Sequence, residues 1–358
     1  MALSIAIVGL PNVGKSTLFN ALTDANALAA NYPFATIEPN TGIVPITDER
    51  LVKLAELYKT DKIVPATVTF VDIAGLVAGA SHGEGLGNQF LSHIRNTNAI
   101  CQVVRAFDES DVQRAGSSDP KHDIDIINTE LVLADLQTVD NRLPRLEKEV
   151  KADPKLRPLL ELTQKLKSGL EAGKLAGSFL TAEELDEIRD LQLLSAKPFL
   201  FVFNLSEKQL NDENLRGDLS SIVAPAPVVF VSAKLESELR GLDKADRAEL
   251  MRSYGQTEPG LVQLIHAAYA ALGLQSFLTA GEKEVRAWTI PKKATAPQAA
   301  GVIHTDFERG FIAAQVVDYG DLIAVGSEAA ARAAGKIRTE GKNYIMRPGD
   351  VVEFKFNV

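Results

Sequence analysis

The sequence has very little cysteine, no long apolar run and no excess of basic residues. Its 358 residues include one cysteine, Cys101, which excludes a disulfide framework and is typical of a reducing compartment such as the cytoplasm. No uninterrupted apolar stretch reaches the roughly 18–20 residues that a membrane span requires. The apolar start of the chain has no preceding basic residue and is broken by Gly9 and Pro11, so we expect neither a signal peptide nor a membrane protein.

The charge balance is acidic, with 38 basic and 47 acidic residues and a formal net charge of −9. This balance argues against a protein that coats nucleic acid by bulk electrostatic attraction, and we expect no DNA partner. The acidic excess lies in residues 1–275, since residues 276–358 contain 11 basic and 10 acidic residues. A local contact with RNA or a ribosomal protein is therefore compatible with the C-terminal part of the chain.

A glycine-rich loop near the N-terminus carries the first functional signal. Ser4–Val8 is a β-branched run typical of a buried strand, and residues 9–16 read Gly-Leu-Pro-Asn-Val-Gly-Lys-Ser. A helix is predicted directly afterwards. Glycine, four residues and Gly-Lys-Ser between a strand and a helix is the phosphate-binding loop pattern, in which backbone N–H groups surround phosphates. The residues predicted to contact nucleotide here are Asn12, Val13, Gly14, Lys15, Ser16 and Thr17.

A second apolar run, residues 68–71, ends in Asp72-Ile-Ala-Gly75. In P-loop switches an aspartate at this place holds Mg²⁺, and the following glycine N–H contacts the γ-phosphate and moves when that phosphate leaves. The loop lysine reaches the β- and γ-phosphates, and the loop serine ligates the metal. Where many such switches carry a water-orienting glutamine, this chain has Leu76, so slow intrinsic turnover is expected. The predicted catalytic residues are Lys15, Gly75 and Leu76.

The polar segment between these two motifs, residues 31–42, is expected to be a mobile loop that completes the metal shell. Thr36 is the preferred ligand and Thr41 the alternative. The predicted Mg²⁺ ligands are therefore Ser16, Thr36 and Asp72. Asn12 leaves two interpretations open, since an asparagine there either helps to hold a K⁺ ion beside the phosphates or only shapes the turn.

Two further strands end in motifs typical of a base-binding site. Residues 199–203 lead into Asn204-Leu-Ser-Glu207, and residues 228–231 lead into Ser232-Ala233. Guanine-binding relatives carry Asn-Lys-x-Asp at the first motif, and the aspartate accepts hydrogen bonds from guanine. Here Leu205 and Glu207 replace the lysine and the aspartate, which favours ATP, with GTP as the alternative. The predicted base-side residues are Asn204, Leu205, Glu207, Ser232 and Ala233.

The middle of the chain has a helical pattern and the end has a mixed pattern. Leucine and valine residues recur at 3–4 spacing over residues 136–170, which predicts two packed helices inserted between strands of the nucleotide-binding sheet. Short strands and a helix follow residue 276. The predicted architecture is α/β, with a nucleotidase domain (1–127 and 195–275), a helical coiled-coil insertion (128–194) and an α+β C-terminal domain (276–358).

The motifs together resemble one family. Residues 9–22, 31–40, 72–77 and 83–91 and the Asn204-Leu-Ser-Glu207 motif look like the Obg-like ATPases of the YchF family, and residues 285–311 are similar to its TGS domain. The resemblance implies a GTPase-like P-loop core, a C-terminal β-grasp fold, Mg²⁺, ATP preference and association with ribosomes. One departure stands out, because the loop at residues 108–120 lacks the histidine usual in the family. Gln113 and Arg114 are the candidates in its place.

Three functions are compatible with these patterns. The first is a slow, Mg²⁺-dependent ATPase that binds the ribosome and switches with its nucleotide. The second is a GTPase of the same architecture, and the third is a ribosome- or RNA-binding module in which nucleotide is mainly a structural ligand. For the RNA contact, Arg309 and Tyr344 are candidate exposed basic and aromatic groups.

Overall fold

The computed structural model describes residues 3–27, 41–73, 86–107, 119–239 and 241–357. Its strands are β1 (Ser4–Val8), β2 (Thr41–Pro45), β3 (Ile63–Val64), β4 (Thr67–Asp72), β5 (Ala99–Arg105), β6 (Phe199–Asn204), β7 (Val228–Val231), β8 (Leu274–Ala280), β9 (Val285–Pro291), β10 (Phe311–Asp318), β11 (Arg338–Glu340) and β12 (Asp350–Phe356). Its α-helices are α1 (Lys15–Ala27), α2 (Glu49–Tyr58), α3 (Leu86–Arg95), α4 (Pro120–Ala152), α5 (Arg157–Glu171), α6 (Ala182–Glu187), α7 (Glu213–Val223), α8 (Ala233–Glu238), α9 (Lys244–Ser253), α10 (Gly260–Ala271), α11 (Ala296–Ile303), α12 (Thr305–Arg309), α13 (Tyr319–Val325) and α14 (Glu328–Ala333).

The chain packs as two units. The first consists of Met1–Ile43 and Thr69–Leu272, and the second of Val44–Val68 and Gly273–Val358. The chain passes from one unit to the other within β2 and returns within β4. Within the described ranges, no helix is both long and apolar enough to cross a lipid bilayer.

The sheet of the first unit brings the predicted motifs to one edge. Its described strands lie in the order β2-β4-β1-β5-β6-β7, and the pairs β1–β4, β1–β5, β5–β6 and β6–β7 are parallel. Every residue of β5 is buried, as expected for a central parallel strand. Because parallel strands end on the same side, the segments that follow β1, β4, β6 and β7 meet at the carboxyl edge of the sheet.

The long helix α4 begins earlier than the predicted insertion. Asp119 is the N-cap and accepts the backbone N–H of Lys121, and Pro120 occupies the first turn, so the helix starts at residue 120. Its first turns pack on the sheet through Ile124. Its later part packs on α5 through the apolar residues that the spacing predicted, namely Val139, Leu143, Leu162, Leu166 and Leu170.

The second unit is built on a mixed sheet. Its described strands lie in the order β11-β10-β12-β8-β9-β3. One face of the sheet and α11 enclose a core that includes Phe277, Ile290 and Phe354. Tyr344 belongs to the rim of this core, and its hydroxyl donates to the buried carboxylate of Asp350 at 2.9 Å. The expectation that Tyr344 is an exposed stacking group is therefore wrong, because this hydrogen bond and the packing hold it at the core.

A segment from the N-terminal half of the chain completes the second unit. Strand β3 pairs with β9, where Ile63 lies opposite Val285, and α2 packs against β8, β9 and α13. The α2 residues Leu51 and Leu54 are fully buried. The sequence analysis placed residues 44–68 in the nucleotidase domain; they pack instead with the C-terminal strands, because the apolar face of α2 is buried there.

Candidate functional site

The glycines of the phosphate-binding loop are required by close backbone contacts. A Cβ atom at Gly9 would lie 2.5 Å from the carbonyl oxygen of Val103, which cannot move away without displacing β5. Gly14 has φ +98°, and a Cβ there would lie 2.4 Å from Asn204 Nδ2. Asn12 also has a left-handed backbone, with φ +61°. The sequence therefore folds this loop into a tight turn against the ends of two neighbouring strands.

Lys15 is a buried cation at the start of α1. Its side chain folds back so that Nζ donates to the carbonyl oxygens of Gly9 at 2.9 Å and Leu10 at 2.8 Å. Burial lowers the pKa of Lys15 from 10.5 to about 8, and the negative charge of Asp72 acts in the opposite direction. The loop thus holds a positive charge in place through two of its own carbonyl oxygens.

Asp72 ends β4, directly opposite Ile7 of β1. Burial raises the pKa of this carboxyl group and the charge of Lys15 lowers it. Its Oδ1 is buried and has no hydrogen-bond partner within the described ranges. A buried, unpaired carboxylate oxygen is costly unless something binds it, and hard oxygen ligands suit Mg²⁺. Asp72, with the hydroxyl of Ser16 at the start of α1, therefore fits a magnesium site.

Asn204 connects the phosphate-binding loop to the segment that follows β7. Its side-chain amide donates to the carbonyl oxygen of Val13 at 3.0 Å, and its Oδ1 accepts the backbone N–H of Ala233 at 3.0 Å. The side chain is almost fully buried. Both ends of the amide are thus used to hold loops together, a role that the sequence analysis did not assign to it.

The motifs enclose a cavity of about 490 Å³ at the carboxyl edge of the sheet, a size typical of small-molecule sites. Its lining contains predicted nucleotide-binding residues from both halves of the site: Asn12, Gly14, Lys15, Ser16, Thr17, Asn204, Leu205, Glu207, Ser232 and Ala233. Val13 is buried beneath the loop and takes part through its carbonyl oxygen. The predicted Thr36, Gly75 and Leu76, and the loop candidates Gln113 and Arg114, lie outside the described residues.

The end of the cavity formed by the segments after β5, β6 and β7 has contacts that the sequence analysis did not predict. Phe107 lines it, two residues beyond β5, and the guanidinium of Arg105 lies 4.3 Å from the centre of its ring. Lys234 also lines the cavity, and its Nζ lies 3.2 Å from Oε1 of Glu207. Phe107 could have been found, because residues directly after a central parallel strand lie at the edge where ligands bind.

The site combines a buried ammonium, a carboxylate at the end of a strand and a glycine loop that leads into a helix. This combination is suited to hold a phosphate chain and its metal. On a parallel sheet, this arrangement defines a P-loop nucleoside triphosphatase fold. Two family models match the chain: residues 4–139 match MMR_HSR1, described as "50S ribosome-binding GTPase", and residues 274–357 match YchF-GTPase_C, described as "Protein of unknown function (DUF933)". Curated YchF proteins also match the chain over their full length, so the chain belongs to the YchF family.

Three of these similarities give the extent of the match. Proteins named ribosome-binding ATPase YchF from Bacillus subtilis (strain 168) and Haemophilus influenzae are 50% and 51% identical to this chain, and each match covers 100% of both chains. A solved structure described as the Schizosaccharomyces pombe YchF GTPase is 38% identical, with a TM-score of 0.87, and the match covers 99% of this chain and 97% of that chain. The resemblance and the α/β P-loop fold class expected from the sequence are confirmed.

Proposed function

We propose that this chain is a Mg²⁺-dependent ATPase that hydrolyses ATP to ADP and phosphate and acts as a nucleotide-dependent switch on the ribosome, in the cytoplasm. The observation that carries the proposal is the cavity itself, which joins a phosphate-binding loop to a base pocket with Glu207 in place of the guanine-binding aspartate. The names of the curated relatives support both the ATPase activity and the ribosome as partner.

The base end supports the choice of adenine. Guanine offers N1–H and 2-amino donors to a carboxylate, whereas adenine offers an acceptor at N1 and a donor at N6. Glu207 is one methylene longer than aspartate and is already ion-paired with Lys234, so it is poorly placed to accept both guanine donors. Leu205 and Phe107 give this end of the cavity an apolar wall, which suits the face of a purine.

Lys15 is the residue that we assign to the β- and γ-phosphates. In the structure its ammonium donates to the carbonyl oxygens of Gly9 and Leu10. Hydrogen bonds from an ammonium to anionic phosphate oxygens are stronger than those to neutral carbonyl oxygens, so we expect the ammonium to turn toward bound phosphates. The backbone N–H groups at the start of α1 point at the same place and add the positive end of the helix dipole.

The metal ligands that we propose are Ser16 and Asp72, with Thr36 from the loop between them. These residues would hold Mg²⁺, which would supply positive charge against the negative charge that develops on the phosphates during phosphoryl transfer. Oδ1 of Asp72, which has no hydrogen-bond partner among the described residues, supports this assignment, because a bound cation or its water would satisfy it. A K⁺ ion beside Asn12 is a further candidate, and the K⁺ dependence of turnover is its test.

We expect slow intrinsic turnover because Leu76, which we assign to the water-facing position after Asp72, cannot hydrogen-bond a water molecule. Gly75 is assigned to the γ-phosphate. The helical segment 128–194 and the C-terminal domain, which we assign to the TGS type, are the proposed regions of contact with the ribosome.

The proposal is tested by comparing the binding and hydrolysis of ATP with those of GTP. Equilibrium titration should show tighter binding of ATP than of GTP, and phosphate release should require Mg²⁺ and increase with ribosomes. Tighter binding of GTP than of ATP would contradict the proposed ATPase and favour a GTPase. No phosphate release from ATP or GTP, with or without ribosomes and K⁺, would favour the interpretation of nucleotide as a structural ligand.

Proton uptake on ATP binding is an expected consequence of the Lys15 environment. Free Lys15 with a pKa of about 8 loses its proton as the pH rises through 8, whereas bound phosphates favour the protonated form. ATP affinity should therefore be constant below pH 7 and fall by up to about tenfold per pH unit above pH 8. Calorimetry in two buffers with different ionisation heats should show more proton uptake at pH 9 than at pH 7. Equal uptake at the two values would contradict the lowered pKa.

Base choice should respond to a paired substitution. Glu207→Asp with Leu205→Lys restores the guanine-type motif, and we expect it to shift the ratio of ATP to GTP affinities toward GTP by about 10- to 100-fold. The measurement is competition of each nucleotide against one fluorescent analogue. Lys208→Ala, an exposed neighbour outside the cavity lining, is the matched control. An unchanged ratio in the double variant would refute the role of residues 204–207 in base choice.

A further inference from the structure

Glu236 is a buried carboxylate that none of the steps above uses. It lies on α8 with 5% of its surface exposed, and its Oε1 accepts the backbone N–H of Gly260 at 2.6 Å. The backbone N–H of Leu261 donates to the same side chain. These two residues open α10, a helix of 12 residues, so the carboxylate binds the N-terminus of one helix from the body of another.

The junction between α8 and α10 is closely packed. A Cβ atom at Gly260 would lie 2.9 Å from Cγ1 of Val231 and 3.1 Å from Oε1 of Glu236, so only glycine allows α10 to approach this far. The surrounding side chains are mainly apolar, including Phe230, Leu235 and Met251. The two helices therefore have little freedom to shift at this point while the Glu236 hydrogen bonds are in place.

The same helix α8 forms part of the nucleotide cavity. Its first residue, Ala233, donates its backbone N–H to Oδ1 of Asn204, and Asn204 in turn holds the carbonyl of Val13. The backbone N–H of Glu236 donates to the carbonyl of Ser232 at 2.9 Å, which ties the carboxylate to the turn before Ala233. A continuous set of hydrogen bonds thus runs from α10 to the base end of the cavity.

We propose that Glu236 is a positioning residue for nucleotide binding: by fixing α8 against the N-terminus of α10, it sets the place of Ser232 and Ala233 at the base. The inference rests on the proposed nucleotide site. We expect the effect mainly at the base end, because Glu236 is linked to the phosphate-binding loop indirectly, through Ala233 and Asn204, whereas Lys15 Nζ donates directly to the carbonyl oxygens of Gly9 and Leu10.

The chemistry of the carboxylate supports this role. Burial raises the pKa of Glu236 to about 7, while the two backbone donors and the positive charge of Arg247 act in the opposite direction. Exchange of the carboxylate for an amide keeps the size of the side chain. It removes the charge that favours the helix N-terminus and replaces one acceptor oxygen with a donor that would face backbone N–H groups.

The experiment compares Glu236→Gln with Glu238→Gln, an exposed carboxylate on the same helix. Affinities for ATP and for inorganic tripolyphosphate, which has no base, are measured by competition against a fluorescent ATP analogue. We expect Glu236→Gln to weaken ATP binding about fivefold to tenfold and to leave tripolyphosphate binding within twofold of wild type. Glu238→Gln should change neither.

The outcomes separate this inference from the proposed function. Equal weakening of both ligands, or ATP binding equal to that of Glu238→Gln, would overturn the positioning role. If Glu236→Gln unfolds below the assay temperature, Glu236→Asp, which keeps the charge, is measured in the same way and judged by the same criteria. Wild-type protein that binds GTP more tightly than ATP would contradict only the proposed function, and the comparison would then be made with GTP.

Discussion

Lys15→Ala is expected to weaken ATP binding by about 10²–10³-fold and to remove measurable hydrolysis. The ammonium is held at the mouth of the glycine loop, and alanine would remove charge-assisted hydrogen bonds worth about 1.5–3 kcal/mol each when phosphates are bound. The measurements are titration with a fluorescent ATP analogue and a phosphate-release assay at saturating ATP.

Loss of the fold would not explain this result. Burial lowers the pKa of Lys15 to about 8, so its ammonium is less stable in the folded protein than in the unfolded chain, and its removal should not lower the thermal midpoint by more than a few degrees. Lys208→Ala is the matched control, because it removes an exposed lysine near the site that does not line the cavity. ATP affinity of Lys15→Ala within twofold of wild type would refute the assignment of the site.

Substitution of Asn204 should have the second largest effect, since one side chain serves both halves of the site. Asn204→Ala leaves the carbonyl of Val13 and the N–H of Ala233 without their partner, each at about 1–3 kcal/mol, and should weaken ATP binding about 10- to 100-fold. Asn204→Asp keeps the acceptor for Ala233 but sets a carboxylate oxygen against the Val13 carbonyl. Asn204→Asp should therefore weaken ATP binding more than Asn204→Ala does.

The informative result is which of the two variants binds ATP more weakly. ATP affinity is measured together with thermal unfolding. Asn211→Ala is the control, because it also removes a side-chain amide that donates to a backbone carbonyl, that of Tyr254, but at a place outside the cavity lining. Equal ATP affinity of Asn204→Asp and wild type would show that the Val13 hydrogen bond does not matter for the site.

Local patterns were enough to predict the phosphate-binding loop and the strands that end in functional motifs. Each of these strands is a short apolar run followed by a polar motif, and a parallel sheet brings such ends together regardless of details elsewhere. The apolar spacing likewise predicted the packed faces of α4 and α5. Helix α4 begins before the predicted insertion at residue 128, and its first turns pack on the sheet through Ile124.

Contacts between distant parts of the chain could not be predicted from these patterns. The pairing of Ile63 with Val285 depends on where two remote segments meet, and neither segment carries a local signature of the other. The same is true of Glu236, whose acceptor role depends on the close approach of Gly260. In the sequence it is one of two acidic residues on a short helix, and its burial and its hydrogen bond to Gly260 distinguish it from Glu238.

Because the second unit is divided between residues 44–68 and 273–358, its two parts are synthesised at different times. Synthesis runs from the N-terminus, so α2 and β3 leave the ribosome long before β9, the strand that β3 pairs with, exists. The apolar face of α2, with Leu51 and Leu54, must wait for the last part of the chain. A nascent or truncated chain that stops at Leu272 has no native partner for this face, and cellular quality control can recognise it as incomplete.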